Sequence, residues 1–153
     1  MFKLNKMTDY AVVCLGTLAR KPGYSMSATE LSNETGLTIY TVQKLLKLLV
    51  VKSNLVSAKR GSQGGYALNK QSNEISIVEI IEALDGPISL TACVDSSGSR
   101  CETSNVCLLG GNWNRVNEII RDSLNDISLN DLLSFGSVIP NQDKNKVVFS
   151  AVN

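Results

Sequence analysis

The segment from Ser27 to Leu68 constrains this chain more than any other. Ser27-Ala28-Thr29-Glu30 is a capping box, a hydroxyl at the N-cap and a glutamate three residues on, and it opens a short helix through about Thr35. Gly36 can take the left-handed conformation that ends such a helix. Thr38 then caps another helix, in which Val42, Leu45, Leu46, Leu49 and Val50 recur as a buried stripe. After it, Leu55-Val56-Ser57-Ala58-Lys59 and Tyr66-Ala67-Leu68 alternate as strands do, around the tip Arg60-Gly61-Ser62-Gln63-Gly64-Gly65. Two short helices around a glycine turn form a helix-turn-helix, and a hairpin directly behind it is a wing. The glycine-rich tip is not followed by a helix and lacks GxGxxG spacing, so it is not a nucleotide-phosphate loop.

Helical signals dominate elsewhere. Leu4, Met7, Ala11, Cys14, Leu15 and Leu18 predict a helix over 5–20, stopped by Pro22-Gly23. Ser76-Ile77-Val78-Glu79 is a second capping box; it opens a helix of Ile77, Val78, Ile80, Ile81 and Leu84 that ends at Gly86-Pro87. Residues 88–111 read as irregular. From about Asn112, Trp113, Val116, Ile120, Leu124 and Ile127 make a near-heptad stripe, expected to pack against a second copy of itself. An intramolecular core helix is the competing reading. Ser128 caps a last short helix to Leu133. The expected fold is mainly α with a small β-wing: a winged helix-turn-helix DNA-binding domain plus a long dimerisation helix. Its parts are the DNA-binding domain 1–75, a linking helix and cysteine loop 76–111, the dimerisation helix and short last helix 112–135, and a flexible tail 136–153.

The chain has 153 residues, 43% of them apolar and 19% charged, the balance of one folded domain with a sizeable core. No apolar run exceeds Ala11 to Leu15 and the N-terminus lacks a secretory layout, so a cytoplasmic protein is expected. Histidine is absent, which removes Ser-His-Asp and Cys-His catalysis and every imidazole metal ligand. No base is left for a nucleophilic cysteine, so an enzyme is not expected. The net charge of +1 conceals a division. Residues 1–73 carry ten Lys/Arg against three Asp/Glu, whereas residues 74–153 carry five against eleven. Between Glu34 and Glu74 stand Lys44, Lys47, Lys52, Lys59, Arg60 and Lys70 without a single acid. That bias points to a polyanion partner; a solvated lysine-rich face is the bland alternative.

Thr38, Tyr40, Thr41, Gln43 and Lys44 occupy the first turns of the recognition helix, the part that enters a major groove of double-stranded DNA. Gln43 can pair bidentately with adenine, and the Thr38 and Thr41 hydroxyls can reach phosphate or base edges. Lys44 and Lys47 are expected on phosphate, and Arg60, with Ser62 and Gln63 at the tip, in the minor groove or on the backbone.

Cys93, Cys101 and Cys107 form the constellation that carries chemistry. Thiolates are soft ligands suited to iron–sulfur clusters, zinc or copper(I), and a Gly/Ser-rich loop can fold so that three sulfurs converge. Three unrelated thiols, a zinc site and a thiol–disulfide switch are the alternatives. Cys14 lies on an apolar stripe and reads as a core thiol.

Together these residues resemble a known family. Lys6-Met7-Thr8-Asp9-Tyr10-Ala11, the wing Arg60 to Leu68, the run Ile75 to Pro87 and the three-cysteine loop are similar, in order, to the Rrf-type winged-helix regulators, the IscR and NsrR group. The resemblance covers about residues 3–133. Thr8-Asp9-Tyr10, Leu84-Asp85-Gly86-Pro87-Ile88 and Leu90-Thr91 before Cys93 are closest to the branch that regulates the SUF iron–sulfur assembly operon. It implies a homodimeric DNA-binding repressor with a 2Fe–2S or 4Fe–4S cluster held by Cys93, Cys101 and Cys107. IscR-like members add a histidine after the third cysteine, where this chain has Leu108-Leu109-Gly110-Gly111. NsrR-like members use an aspartate on the first helix of the partner subunit, and Asp9 matches it; simple helix-dipole stabilisation of about 0.3–1 kcal/mol is its other reading. The IscR type also has glutamate where Gln43 stands, which puts that type's two-class site preference in doubt here. The alternative on the same scaffold is a zinc- or thiol-based regulator responsive to redox state or nitric oxide.

Overall fold

The computed structural model describes residues 4–61, 64–91, 94 and 112–135. Cys93, Cys101, Cys107, Ser62, Gln63 and the tail 136–153 lie outside the described residues. The elements run α1 (Lys6–Ala19), α2 (Ala28–Thr35), α3 (Ile39–Lys52), β1 (Val56–Lys59), β2 (Gly65–Leu68), a 3₁₀ turn (Ser72–Glu74), α4 (Ile77–Asp85), α5 (Asn112–Asn125) and α6 (Leu129–Phe135).

Helix starts follow local chemistry. The Ser27 hydroxyl accepts from the Glu30 N–H while the Glu30 carboxylate accepts from the Ser27 N–H at 2.7 Å. Ser76 and Glu79 repeat the box at α4. Ser128 and Asp131 make the same exchange at α6, with the shorter acid. Such caps satisfy N–H groups that have no partner inside the helix. Gly36 ends α2 at a φ of 73°, the left-handed value that favours glycine.

One core joins these elements. Ala11, Cys14, Leu15 and Leu18 of α1 face Leu31 of α2 and Val42, Leu45, Leu46 and Leu49 of α3. Leu55, Val56, Ile77, Val78, Ile80, Ile81 and Leu129 close it from the wing side, α4 and α6. Each such side chain removed from water contributes about 1.5–3 kcal/mol. The strands pair antiparallel with Val56 opposite Leu68 and Lys59 opposite Gly65. Met26 extends this sheet by one position: it exchanges backbone hydrogen bonds of 2.9 and 2.7 Å with Tyr66. A Cβ on Gly65 would stand 2.7 Å from the Met26 carbonyl carbon, so only glycine fits beside that bridge.

Two expectations need correcting. Leu4 belongs to no buried stripe; it precedes α1 and is 41% exposed, whereas the unflagged Thr8 is buried. The α5 stripe is split between both readings: Leu124 and Ile127 pack against the chain's own core, while Trp113 and Val116 face outward, as does Ile119 at 57% exposure.

Candidate nucleic-acid interface and cysteine-loop root

The helix-turn-helix presents one side of α3 to solvent. Val42, Leu45, Leu46 and Leu49 point inward, which at helical spacing turns Tyr40, Gln43, Lys44 and Lys47 outward. Tyr40 is 73% exposed, uncommon for so large a ring without a partner. Thr38 serves as the N-cap: its oxygen accepts from the Thr41 N–H at 3.3 Å and shares a hydrogen bond of 2.9 Å with the Thr41 hydroxyl. Two hydroxyl hydrogens and one mutual bond leave one hydrogen to donate outward. The first turn of α3 carries no acid, so nothing there repels an anion.

Ion pairing sorts the basic segment. Lys70 binds Glu79 at 2.5 Å and Lys21 binds Glu34 at 2.7 Å. Lys44, Lys47, Lys59 and Arg60 are exposed and have no ion-pair partner among the described residues. Lys70 thus belongs to the fold rather than to the free charge, because Glu79 of α4 reaches the end of the hairpin. Lys59, beside Arg60 at the end of β1, joins the free set; in the sequence it stands out only as one of the cations of the acid-free stretch.

Asp9 stands in the first turn of α1, exposed, with its carboxylate in no described hydrogen bond or ion pair. It borders an apolar cavity of about 240 Å³ lined also by Val12, Ile77, Ile80, Ile81 and Leu132. Nearby acids are committed elsewhere. Asp85 accepts from the Thr8 hydroxyl at 2.8 Å, and Asp131 caps α6. Cys14 is wholly buried, and burial pushes its thiol up to about 11, so it stays a neutral core thiol rather than a ligand. No group of three metal-ligating side chains occurs among the described residues. The three loop cysteines lie outside them, and their arrangement with Asp9 is taken up below as a proposal.

The family model described as "Iron-dependent Transcriptional regulator", Rrf2, matches residues 4–134. The chain belongs to the Rrf2 family. It is 30% identical over 143 residues to the HTH-type transcriptional regulator IscR of Citrobacter koseri, covering 93% of this chain and 86% of that one. IscR of Pectobacterium carotovorum is 31% identical over 115 residues, 75% of this chain and 68% of that protein. Among solved structures, CymR (YrzC), described as the global cysteine regulator of B. subtilis, superimposes with a TM-score of 0.66 at 26% identity, over 88% of this chain and 98% of that one. T. potens IscR does so with a TM-score of 0.63 at 25% identity, over 88% of each chain. The protein is therefore an IscR-like Rrf2 transcriptional regulator of winged-helix fold that binds DNA, and not an enzyme. No described helix is long and apolar enough to cross a membrane.

Proposed function

We propose that this Rrf2 regulator is a cytoplasmic homodimeric repressor of SUF-type iron–sulfur assembly genes that senses its own iron–sulfur cluster. The donor set carries the reading: Cys93, Cys101 and Cys107, no histidine, and in Asp9 a carboxylate that the fold leaves uncommitted. Three thiolates and one hard oxygen fit an iron–sulfur cluster, with Asp9 supplied by the partner subunit. When bound, the cluster supplies sensitivity to oxidants, nitric oxide and iron supply.

The chain's own residues do the rest. Besides Leu124, polar side chains hold α5 to its subunit, Arg121 gripping Glu82 of α4 through two hydrogen bonds of 2.9 and 3.2 Å. Its apolar Trp113, Val116 and Ile119 are left outside, which supports a second copy as their cover. We read 1–75 as the reading head, 76–111 as linking helix and ligand loop, 112–135 as dimer contact, and 136–153 as a tail. Asp9 stands on α1, which packs on α3, so a restraint at Asp9 bears on the recognition helix. Releasing it shifts the population of reading-head spacings. On DNA, Thr38, Tyr40, Thr41 and Gln43 face the major groove, with the one free hydroxyl hydrogen of the Thr38–Thr41 pair; Lys44 and Lys47 face the phosphates, and Arg60, Ser62 and Gln63 the groove beside the wing.

Purification without oxygen, followed by a visible spectrum and iron and sulfide analysis, tests the cofactor. A brown protein with iron and acid-labile sulfide is expected. A colourless protein holding zinc, or no metal, overturns the cluster and leaves the thiol-based reading.

A further inference from the structure

Asn117 is the one buried residue of α5, at 7% exposure, on a helix that otherwise faces solvent or half-buries its side chains. Both ends of its amide are used. Nδ2–H donates to the Ile88 carbonyl at 2.9 Å, and Oδ1 accepts from the Leu90 N–H at 3.1 Å. The amide thus brackets Ser89 and binds the stretch that runs from α4 toward Cys93. At the other end of that stretch, Asp85 accepts from the Thr8 hydroxyl at 2.8 Å and from the Asn5 N–H at 3.4 Å. Residues 85–90 are therefore tied to α1 at one end and to α5 at the other.

We infer that Asn117 is a positioning residue, which fixes Ile88 to Leu90, the root from which the chain leaves toward Cys93, on the dimer-contact helix. The inference rests on the reading of Cys93 as a ligand. Only an amide does this work at position 117: a carboxylate accepts from Leu90 but cannot donate to Ile88, and leucine does neither. A fixed root lowers the entropy lost when three thiolates converge, the way outer-sphere hydrogen bonds orient ligands.

The test uses full-length protein prepared without oxygen, as wild type, Asn117→Leu and Asn117→Asp. Three quantities are read: the rate of iron loss to an excess of chelator, the visible circular dichroism of the bound cluster, and, in metal-free protein, the rate at which maleimide alkylates Cys93. Both variants should lose iron about tenfold faster, the lower end of outer-sphere effects, with altered dichroism at temperatures where they stay folded. Cys93 should react faster in the metal-free variants, while buried Cys14 stays unreactive as a folding control. If Asn117→Leu does not fold, Asn117→Asp, which keeps the Leu90 bond, decides. Wild-type rates and dichroism in the variants overturn the inference. A wild type that holds no iron overturns the cluster reading instead, and the alkylation arm alone then decides the clamp: equal Cys93 rates refute it.

Discussion

Replacing Lys44 by alanine removes a cation that the fold leaves free, and the effect is calculable. Each phosphate neutralised on B-DNA contributes about 0.9 to the slope of log affinity against log salt. In a homodimer the substitution deletes two such contacts, so the slope should become shallower by about 1.8. Between about 50 and 200 mM salt, the wild type's advantage over the variant should shrink about twelvefold. Lys70 carries the same formal charge and lies in the same acid-free stretch, but Glu79 holds it at 2.5 Å. Lys70→Ala should therefore leave the slope unchanged. Fluorescence anisotropy with an operator fragment at several salt concentrations measures both. A change of about 0.9 for Lys44→Ala would mean one copy per site and contradict the dimer. Equal changes for the two lysines would refute the sorting of free from committed charge.

Further outcomes concern the fold and its assembly. Ser27→Ala deletes an N-cap and half a capping box, which should cost about 1 kcal/mol and lower the melting temperature by roughly 2–4 °C in calorimetry. Val116→Asp puts a charge on the outward face of α5 and should convert dimer to monomer in sedimentation equilibrium, with the helical signal kept. Acid unfolding should set in as the bonded carboxylates are protonated. The Ser27 backbone and hydroxyl hold Glu30 below the usual carboxylate range, and the Ser128 hydroxyl and N–H do the same for Asp131. Their contribution is complete above the ordinary carboxylate pKa and is lost as pH falls through the lowered one. At the alkaline end the sign reverses: the buried Cys14 thiol stays neutral up to about 11, so stability should decline as pH climbs from the ordinary thiol value of 9.0 toward that point. Thermal melts across pH register both limbs.

Features written in short stretches of chain are legible in the sequence. Ser27 with Glu30, Ser76 with Glu79 and the cap at Ser128 are satisfied by atoms three residues away, so sequence alone locates them. The glycine at 36 and the stripe of α3 are equally local. What escaped depends on chain segments that meet only in the fold. The Met26–Tyr66 bridge spans forty positions, and nothing near Met26 announces it. Lys70 looked like free charge because its partner Glu79 lies beyond the 3₁₀ turn, one element further on. Asn117 carries no signal of its own in the sequence; its contacts exist only because Ile88 and Leu90 are brought beneath it. For the proposed site, spacing and ligand softness single out Cys93, Cys101 and Cys107 as candidates, and the fold adds that the Asp9 carboxylate is uncommitted.

The coupling of cofactor to operator is measured most directly by titrating one DNA fragment with cluster-loaded and cluster-free protein, alongside Cys101→Ala. Affinities that differ by about 5–150-fold between the two wild-type forms, and collapse to one value in the variant, are the predicted result. Identical binding by both forms of the wild type would contradict the account.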